Sequence, residues 1–367
     1  MKILIISRNT FPLQGPRAFR TAELSEQLAK MGHEVILYTV LGKYDYTQYQ
    51  KETKVQIKDI KPILATANND GVTRYNFIDK VLYHLLHWLI EYPDIEFLFK
   101  LNSIIRKERD VDLLITIAFP HPIHWGAAVA KKLNPKKFPK CWVSDCGDPF
   151  FLDPFNRHPF YLKYLEKWWA RSTDYITVPT ESSKQGYFPE FHNKIRVIPQ
   201  AFNFNKTPIA KYVKNPIPTF VFAGAFYPGK RDPYSFIEYL LKLERNFKFI
   251  IYSKNGIRED ILNLSNGKIE CITTAGRKEV IWACSKADFL INITNLSTVQ
   301  TPSKLIDYGI AKRPVLNISN NFEEKDSFNE FLKGDYSHQA VLPDLARYDI
   351  KHVAKQFLDL VNDTNES

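Results

Sequence analysis

Residues 2–40 read as strand, helix and strand in succession, and that order leaves few folds open. KILIIS is the run of a parallel strand buried on both faces, and the loop RNTFPLQGPR follows it. A helix spans residues 18–31, and GHEVILYTV is a second strand. Such a βαβ unit opens a doubly wound sheet. DLLITIA, HPIHWGAAVAKKL and CWVSDCGDPF repeat it, and YITVPTESSKQGYF with IRVIPQAFN closes this half as strand, helix, strand. A proline-rich stretch over 207–218 reads as a linker. Beyond it TFVFAG, FKFIIYS, IECI, ADFLINI and PVLNIS are further strands with helices between them. The expected fold class is α/β, with two doubly wound Rossmann-like domains.

The 367 residues suffice for two such domains. With 44% hydrophobic and 25% charged residues, the composition is globular. No apolar run reaches membrane-spanning length, and Met1–Ile6 runs straight into a strand. Neither a leader nor an anchor is therefore expected, and the default location is the cytoplasm. Cys141, Cys146, Cys271 and Cys284 form no CxxC pair and have no histidine at zinc spacing; they read as reduced structural thiols. A net charge of +10 admits nucleic acid, an anionic membrane surface or phosphorylated substrates as partners. No zinc-finger, helix-turn-helix or RNP pattern accompanies it, which leaves nucleic acid the least supported. Only Gly15 lies in the first loop, so the three-glycine fingerprint of a nicotinamide enzyme is missing. Residues 43–76 read as a polar, irregular excursion, and 79–107 as two helices split at Pro93 and packed on the sheet.

The chemistry gathers in residues 299–318. Gln300 and Thr301 precede Pro302, which pre-sets a first helical turn; Thr301 is placed to cap it. Leu305, Ile306 and Ile310 give the helix an apolar stripe, and Pro314 ends it before the strand at 315–318. Free N–H groups around Ser303 and Lys304 make an anion site. Asp307 lies just over one turn further in, where a carboxylate can accept from paired hydroxyls. Phosphate at the helix tip and ribose at Asp307 suggest a nucleotide. The plainer alternative is an ordinary helix start with a solvated aspartate.

PSKLIDYGIAKRPVL resembles the donor-nucleotide segment of GT-B glycosyltransferases of the family-four kind, which carry P-x-K-L-x-[ED]-Y before a P-V-L strand. The resemblance extends to P-x-x-G-P-R with GHEV, to D-x-x-D-P at Asp145–Pro149, to G-x-x-Y-x-G-x-R-D-P from Gly224, and to RKEVIWACSKAD. Five motifs in the right order and spacing make it strong. It departs in two places: Val299 stands where many relatives have a first acid, and Gly147 where a subgroup has arginine.

The resemblance implies two Rossmann-like domains facing a cleft: 1–205 on the acceptor side, 206–345 on the donor side, and 346–367 crossing back to the first. It implies a nucleotide-sugar donor held by Gly15, Arg17, Gly224, Gln300, Thr301, Pro302, Ser303, Lys304 and Asp307. Lys230 and Arg231 would steady the leaving diphosphate, while Asp145 and Asp148 would orient the transferred sugar or the acceptor. Arg277 either approaches the nucleotide or caps its helix; His121 and His124 are left to packing. Transfer would retain configuration and need no metal and no cofactor beyond the substrate. The acceptor would be a saccharide or lipid-linked saccharide in cell-surface polysaccharide or lipopolysaccharide assembly. Alternatives are a nucleotide-sugar 2-epimerase of the same fold, or a basic protein binding nucleic acid or anionic lipid.

One stretch also suggests where the chain works. Lys131, Lys132, Lys136, Lys137, Phe138 and Lys140, then Arg157, Phe160, Tyr161, Lys163, Tyr164, Lys167, Trp168 and Trp169, interleave cations with large aromatics. Such residues suit peripheral attachment to the inner face of an anionic membrane. The competing reading makes the tryptophans core and the lysines a solvated rim.

Overall fold

The computed structural model describes residues 1–13, 15–64, 77–153, 156–204, 207–227, 231–294 and 303–366. Two units divide at 202/203 and 346/347: Met1–Phe202 with Arg347–Ser367, and Asn203–Ala346. The sequence places these divisions at 205/206 and 345/346.

The strands of the first unit are β1 (Lys2–Ser7), β2 (Glu34–Thr39), β3 (Gln56–Asp59), β4 (Leu113–Ala118), β5 (Cys141–Cys146), β6 (Tyr175–Val178) and β7 (Ile195–Val197). All pair in parallel, in the order β3-β2-β1-β4-β5-β6-β7. Helices α1 (Pro16–Lys30), α2 (Thr47–Thr53), α3 (Phe77–Ile90), α4 (Glu96–Lys107), α5 (Pro122–Leu133) and α6 (Leu162–Ser172) connect them. Every residue of β4 and β5 is buried, as near-continuous apolar runs must be when both faces are covered. Trp125, Trp142 and Trp169 fill one side of the sheet; Leu24, Leu28 and Leu37 belong to the core on the other.

The approach of α4 to α5 depends on Gly126, where a Cβ would run into the backbone carbonyl of Phe97. Since that obstacle is backbone, Gly126→Ala is expected to destabilise the first unit by about 1–3 kcal/mol. Urea unfolding midpoints would measure it, and an unchanged midpoint would show that the two helices can separate freely.

Two sequence expectations need correction here. The stretch from residue 43, read as irregular, contains α2 and the edge strand β3; residues 65–76 lie outside the described chain. The helix pair in 79–107 exists, but α4 alone packs closely, on α5, whereas α3 leaves Ile78, Val81, Leu82 and Leu85 exposed.

The second unit has β8 (Thr219–Ala223), β9 (Lys248–Tyr252), β10 (Ile269–Ile272), β11 (Phe289–Ile293) and β12 (Val315–Ile318), parallel in the order β10-β9-β8-β11-β12. Its helices are α7 (Tyr234–Leu241), α8 (Glu259–Leu264), α9 (Arg277–Lys286), α10 (Ser303–Ala311) and α11 (Lys325–Lys333). Phenylalanines make the core: Phe220 stacks on Phe249 and Phe289 at centroid distances of 4.8 and 4.9 Å. Asp232 accepts the Tyr234 amide at 3.0 Å where α7 begins. The last helix, α12 (Ile350–Glu366), buries Val353, Ala354, Phe357 and Val361 in the core of the first unit, against α1 and β5. Among the described residues no helix is long and apolar enough to cross a membrane.

Candidate functional site

In each sheet the strand order reverses beside the unit's first strand, between β1 and β4 and between β8 and β11. Open α/β sheets hold ligands at the carboxyl ends of strands near such a reversal. In the second unit that place is a cleft of about 330 Å³. Ala223, Gly224 and Ala225 line it after β8, Tyr252–Lys254 after β9 and Thr273 after β10; Arg277 comes from α9, and Lys304, Asp307 and Tyr308 from α10.

Tyr308 fixes the wall. Its buried hydroxyl accepts the Ala223 N–H at 2.8 Å and donates to the Ile291 carbonyl at 3.0 Å, tying α10 to β8 and β11. Gly224 has φ +151°, and the Lys304 Cδ and Arg231 Nη1 atoms each lie 3.8 Å from where its Cβ would stand. Two cations thus flank one stretch of bare backbone. Arg231 donates to the Ala225 carbonyl at 3.3 Å. Lys304 Nζ donates to the Ile293 carbonyl at 3.3 Å and lies 5.1 Å from the Phe222 ring centroid. No carboxylate pairs with Lys304 among the described residues. Burial, with the Arg231 charge beside it, pushes the Lys304 pKa down to about 7. A lysine so placed gains most from an incoming anion.

Arg277 Nε and Nη2 both donate to Asp307 Oδ1, at 3.1 and 2.5 Å. Burial raises the Asp307 pKa, while Arg277 opposes the rise. Because both guanidinium contacts fall on Oδ1, Oδ2 has no partner among the described residues and can accept from a ligand hydroxyl. Of the two readings of Arg277, the structure favours the cleft: it begins α9, and its guanidinium holds Asp307.

The first unit treats its predicted residues differently. Asp145 lies on β5, 2% exposed. Arg20 grips it through Nε to Oδ2 at 3.1 Å and Nη2 to Oδ1 at 2.9 Å, and Thr177 donates to Oδ1 at 2.7 Å. Burial raises its pKa, but Arg20 and Arg17 more than offset this and hold the carboxyl below its ordinary range. A carboxylate so enclosed is a fixed anchor, and its two oxygens are already engaged by Arg20 and Thr177 rather than turned to a substrate. Arg17 leans on Asp145 at 3.5 Å and on Gln200 at 3.4 Å. Its Cζ lies 2.5 Å from where a Cβ on Gly147 would be, so Arg17 fills the space that glycine opens. Gly15 precedes α1, and a Cβ there would meet nothing within 4 Å. Asp148 is exposed, its carboxylate without a partner among the described residues. His121 and His124 are fully buried; His124 meets Thr116 at 2.8 Å and Cys146 at 3.3 Å.

Lys230, Gln300, Thr301 and Pro302 lie outside the described residues, and Ser303 begins α10. Sequence reasoning gives no role to Arg20 or Tyr308. Tyr308 could have been found, since it closes the very motif used to place Asp307. Among the described residues no cluster of three His, Cys, Asp or Glu could hold a metal ion.

The family model of glycosyltransferase family 4 matches residues 18–206. No curated protein matches the chain in sequence. Among solved structures, a glycosyltransferase from Rickettsia africae ESF-5 is similar at TM-score 0.63 and 14% identity, over 100% of this chain and 99% of that one. Anabaena Alr3699/HepE in complex with UDP is similar at TM-score 0.60 and 9% identity, over 99% and 100%. The lipopolysaccharide outer core galactosyltransferase WaaB, in its apo form, is similar at TM-score 0.55 and 11% identity, over 99% of both chains. Identities this low speak for the fold alone, which is the GT-B fold expected from the sequence. The family model, spanning more than half of the length, carries the assignment: this chain belongs to glycosyltransferase family 4.

Proposed function

We propose that the chain is a retaining, metal-independent glycosyltransferase. It moves a sugar from a nucleotide-sugar donor to a saccharide or lipid-linked saccharide during cell-surface polysaccharide or lipopolysaccharide assembly. The observation that carries the donor site is Lys304, a cation without a carboxylate beside Arg231 at the strand ends of the second sheet. HepE was solved with UDP, and WaaB is a lipopolysaccharide galactosyltransferase; both support the reading. The ribose hydroxyls donate to Asp307 Oδ2 while Arg277 steadies Oδ1. The diphosphate lies against Lys304 and Arg231. The acceptor oxygen bonds to the anomeric carbon as the bond from that carbon to the phosphate oxygen breaks. The acceptor's proton passes to the leaving phosphate, so no strong protein base is required. Fixed cations stabilise the charge that develops there. Asp148 remains the acceptor-side candidate of the first unit.

A thermal-shift panel of UDP-, GDP-, dTDP-, CMP- and ADP-sugars tests this. The correct donor at 100-fold above its Kd should stabilise the protein by about 2.7 kcal/mol, with or without EDTA. Asp307→Ala should weaken that binding and leave the fold intact. Silence across the panel would overturn the donor site, and strict dependence of transfer on manganese or magnesium would overturn the metal-free mechanism. Epimerised sugar from donor alone would make the chain a 2-epimerase.

A further inference from the structure

Helix α3 turns its apolar stripe outward. Ile78, Val81, Leu82, Leu85 and Trp88 recur at helical spacing, and all are exposed, Ile78 at 76%. Tyr83, Leu86 and Leu89 are the half-buried residues. A surface helix ordinarily turns such a stripe to the core, and a contiguous exposed apolar patch marks a docking surface.

The patch extends past the helix. The Trp88 indole N–H donates to the Arg157 carbonyl at 2.8 Å, and the Tyr161 hydroxyl to the Leu89 carbonyl at 2.6 Å. These bonds hold the segment around 157–164 alongside α3 and add Phe160, 72% exposed, and Tyr164. At the start of α4, Glu96 accepts the amides of Ile63 and Leu64, two more exposed apolar residues, and Phe99 follows one turn on.

Charge selects the occupant. Lys80 is exposed near the start of α3, and Arg157 and Lys163 lie on the segment bonded to its end, with Lys163 Nζ 4.9 Å from the Tyr164 ring centroid. Lys100 Nζ donates to the Lys61 carbonyl, which adds two cations beside Ile63, Leu64 and Phe99 in sequence. Asp79 is an exposed acid on α3, whereas Glu91, Asp94 and Glu96 are buried. Aromatic rings suit the boundary between water and lipid, and lysines are drawn to a negative leaflet. In an isologous pair the same basic margin would face itself.

We propose that this face docks the protein reversibly on a bilayer with anionic headgroups, α3 lying in the plane of the interface. The inference rests on the reading of a membrane-borne acceptor for its purpose, but its physical basis is the patch. It also moves the contact expected from sequence. Lys131 pairs with Asp174 at 3.0 Å and Lys167 with Glu190 at 2.8 Å; Trp169 is buried, and Phe138 and Trp168 pack against the core. The part of that stretch between Arg157 and Tyr164 carries over.

Co-sedimentation of the full chain with vesicles tests it, using phosphatidylcholine alone and phosphatidylcholine mixed with phosphatidylglycerol. Binding to the mixed vesicles is expected at low salt and should fade as ionic strength rises. The double substitution Leu82→Glu with Leu85→Glu should weaken it at least about tenfold with an unchanged melting temperature, since both side chains are about half exposed. Absence of binding to the mixed vesicles overturns the proposal, as does undiminished binding by the double variant. Self-association that the variant abolishes, without vesicle binding, would assign the face to a second copy of the chain. Donor binding is read separately in the nucleotide panel, so either idea can fail alone.

Discussion

Lys304→Met is expected to raise the melting temperature of the free protein and to lower turnover by ~10²–10³-fold. Methionine keeps the length of the lysine stem and omits the charge. In the free protein that charge is a burden, being buried beside Arg231 with a carbonyl as its hydrogen-bond acceptor. With the proposed diphosphate present it would become the preorganised counter-charge. The sign of the pH dependence follows. An unfolded lysine titrates near about 10.4, whereas folded Lys304 releases its proton near about 7. Between these values the unfolded chain binds the extra proton, so wild-type stability rises with pH across that window. The Met variant should lack this rise. Diphosphate favours the charged form, so donor binding takes up a proton and affinity should fall as pH climbs above about 7. Calorimetry in buffers of different ionisation enthalpy reads the proton directly. Wild-type nucleotide affinity in the Met variant would remove Lys304 from the site.

Patterns local in the chain are legible from the amino-acid order alone. The apolar strands β1, β4 and β11 announce themselves because burial on both faces leaves little room for polar residues. β3 does not, because QIKD is an edge strand with exposed and half-buried residues. The helix carrying Lys304 and Asp307 is readable from its spacing and its proline stop. The partners are not: Arg277 lies 30 residues from Asp307 and Arg20 lies 125 from Asp145. Which charge closes on which is decided by the winding of the sheets, and no spacing rule records it. The helices in 79–107 show the converse failure. Their composition implies burial, and an apolar sequence cannot say whether its cover is protein or something else.

Asp145→Ala should cost about 3–5 kcal/mol of stability, because it leaves the Arg20 guanidinium buried and unpaired. Arg20 is 2% exposed and cannot swing into water. Its remaining partners are the Pro199 carbonyl at 2.8 Å and the Phe357 ring at 4.9 Å. Pro199 lies just beyond β7 and Phe357 on α12, so loss of the carboxylate should loosen α1 and α12 together. Hydrogen exchange would show protection falling in both helices. The acid limb supplies an independent check. The folded pKa of Asp145 is depressed, so its contribution is fully present above the unfolded value of about 3.9. It is lost as pH falls through the folded value. The alanine variant should therefore lose less stability than the wild type on acidification. A residue acting on substrate predicts the opposite pattern, an unchanged urea midpoint with collapsed turnover. That result would return Asp145 to the chemistry and take Arg20 with it. Arg17 would then need another anchor, since Asp145 and Gln200 are what hold it over Gly147.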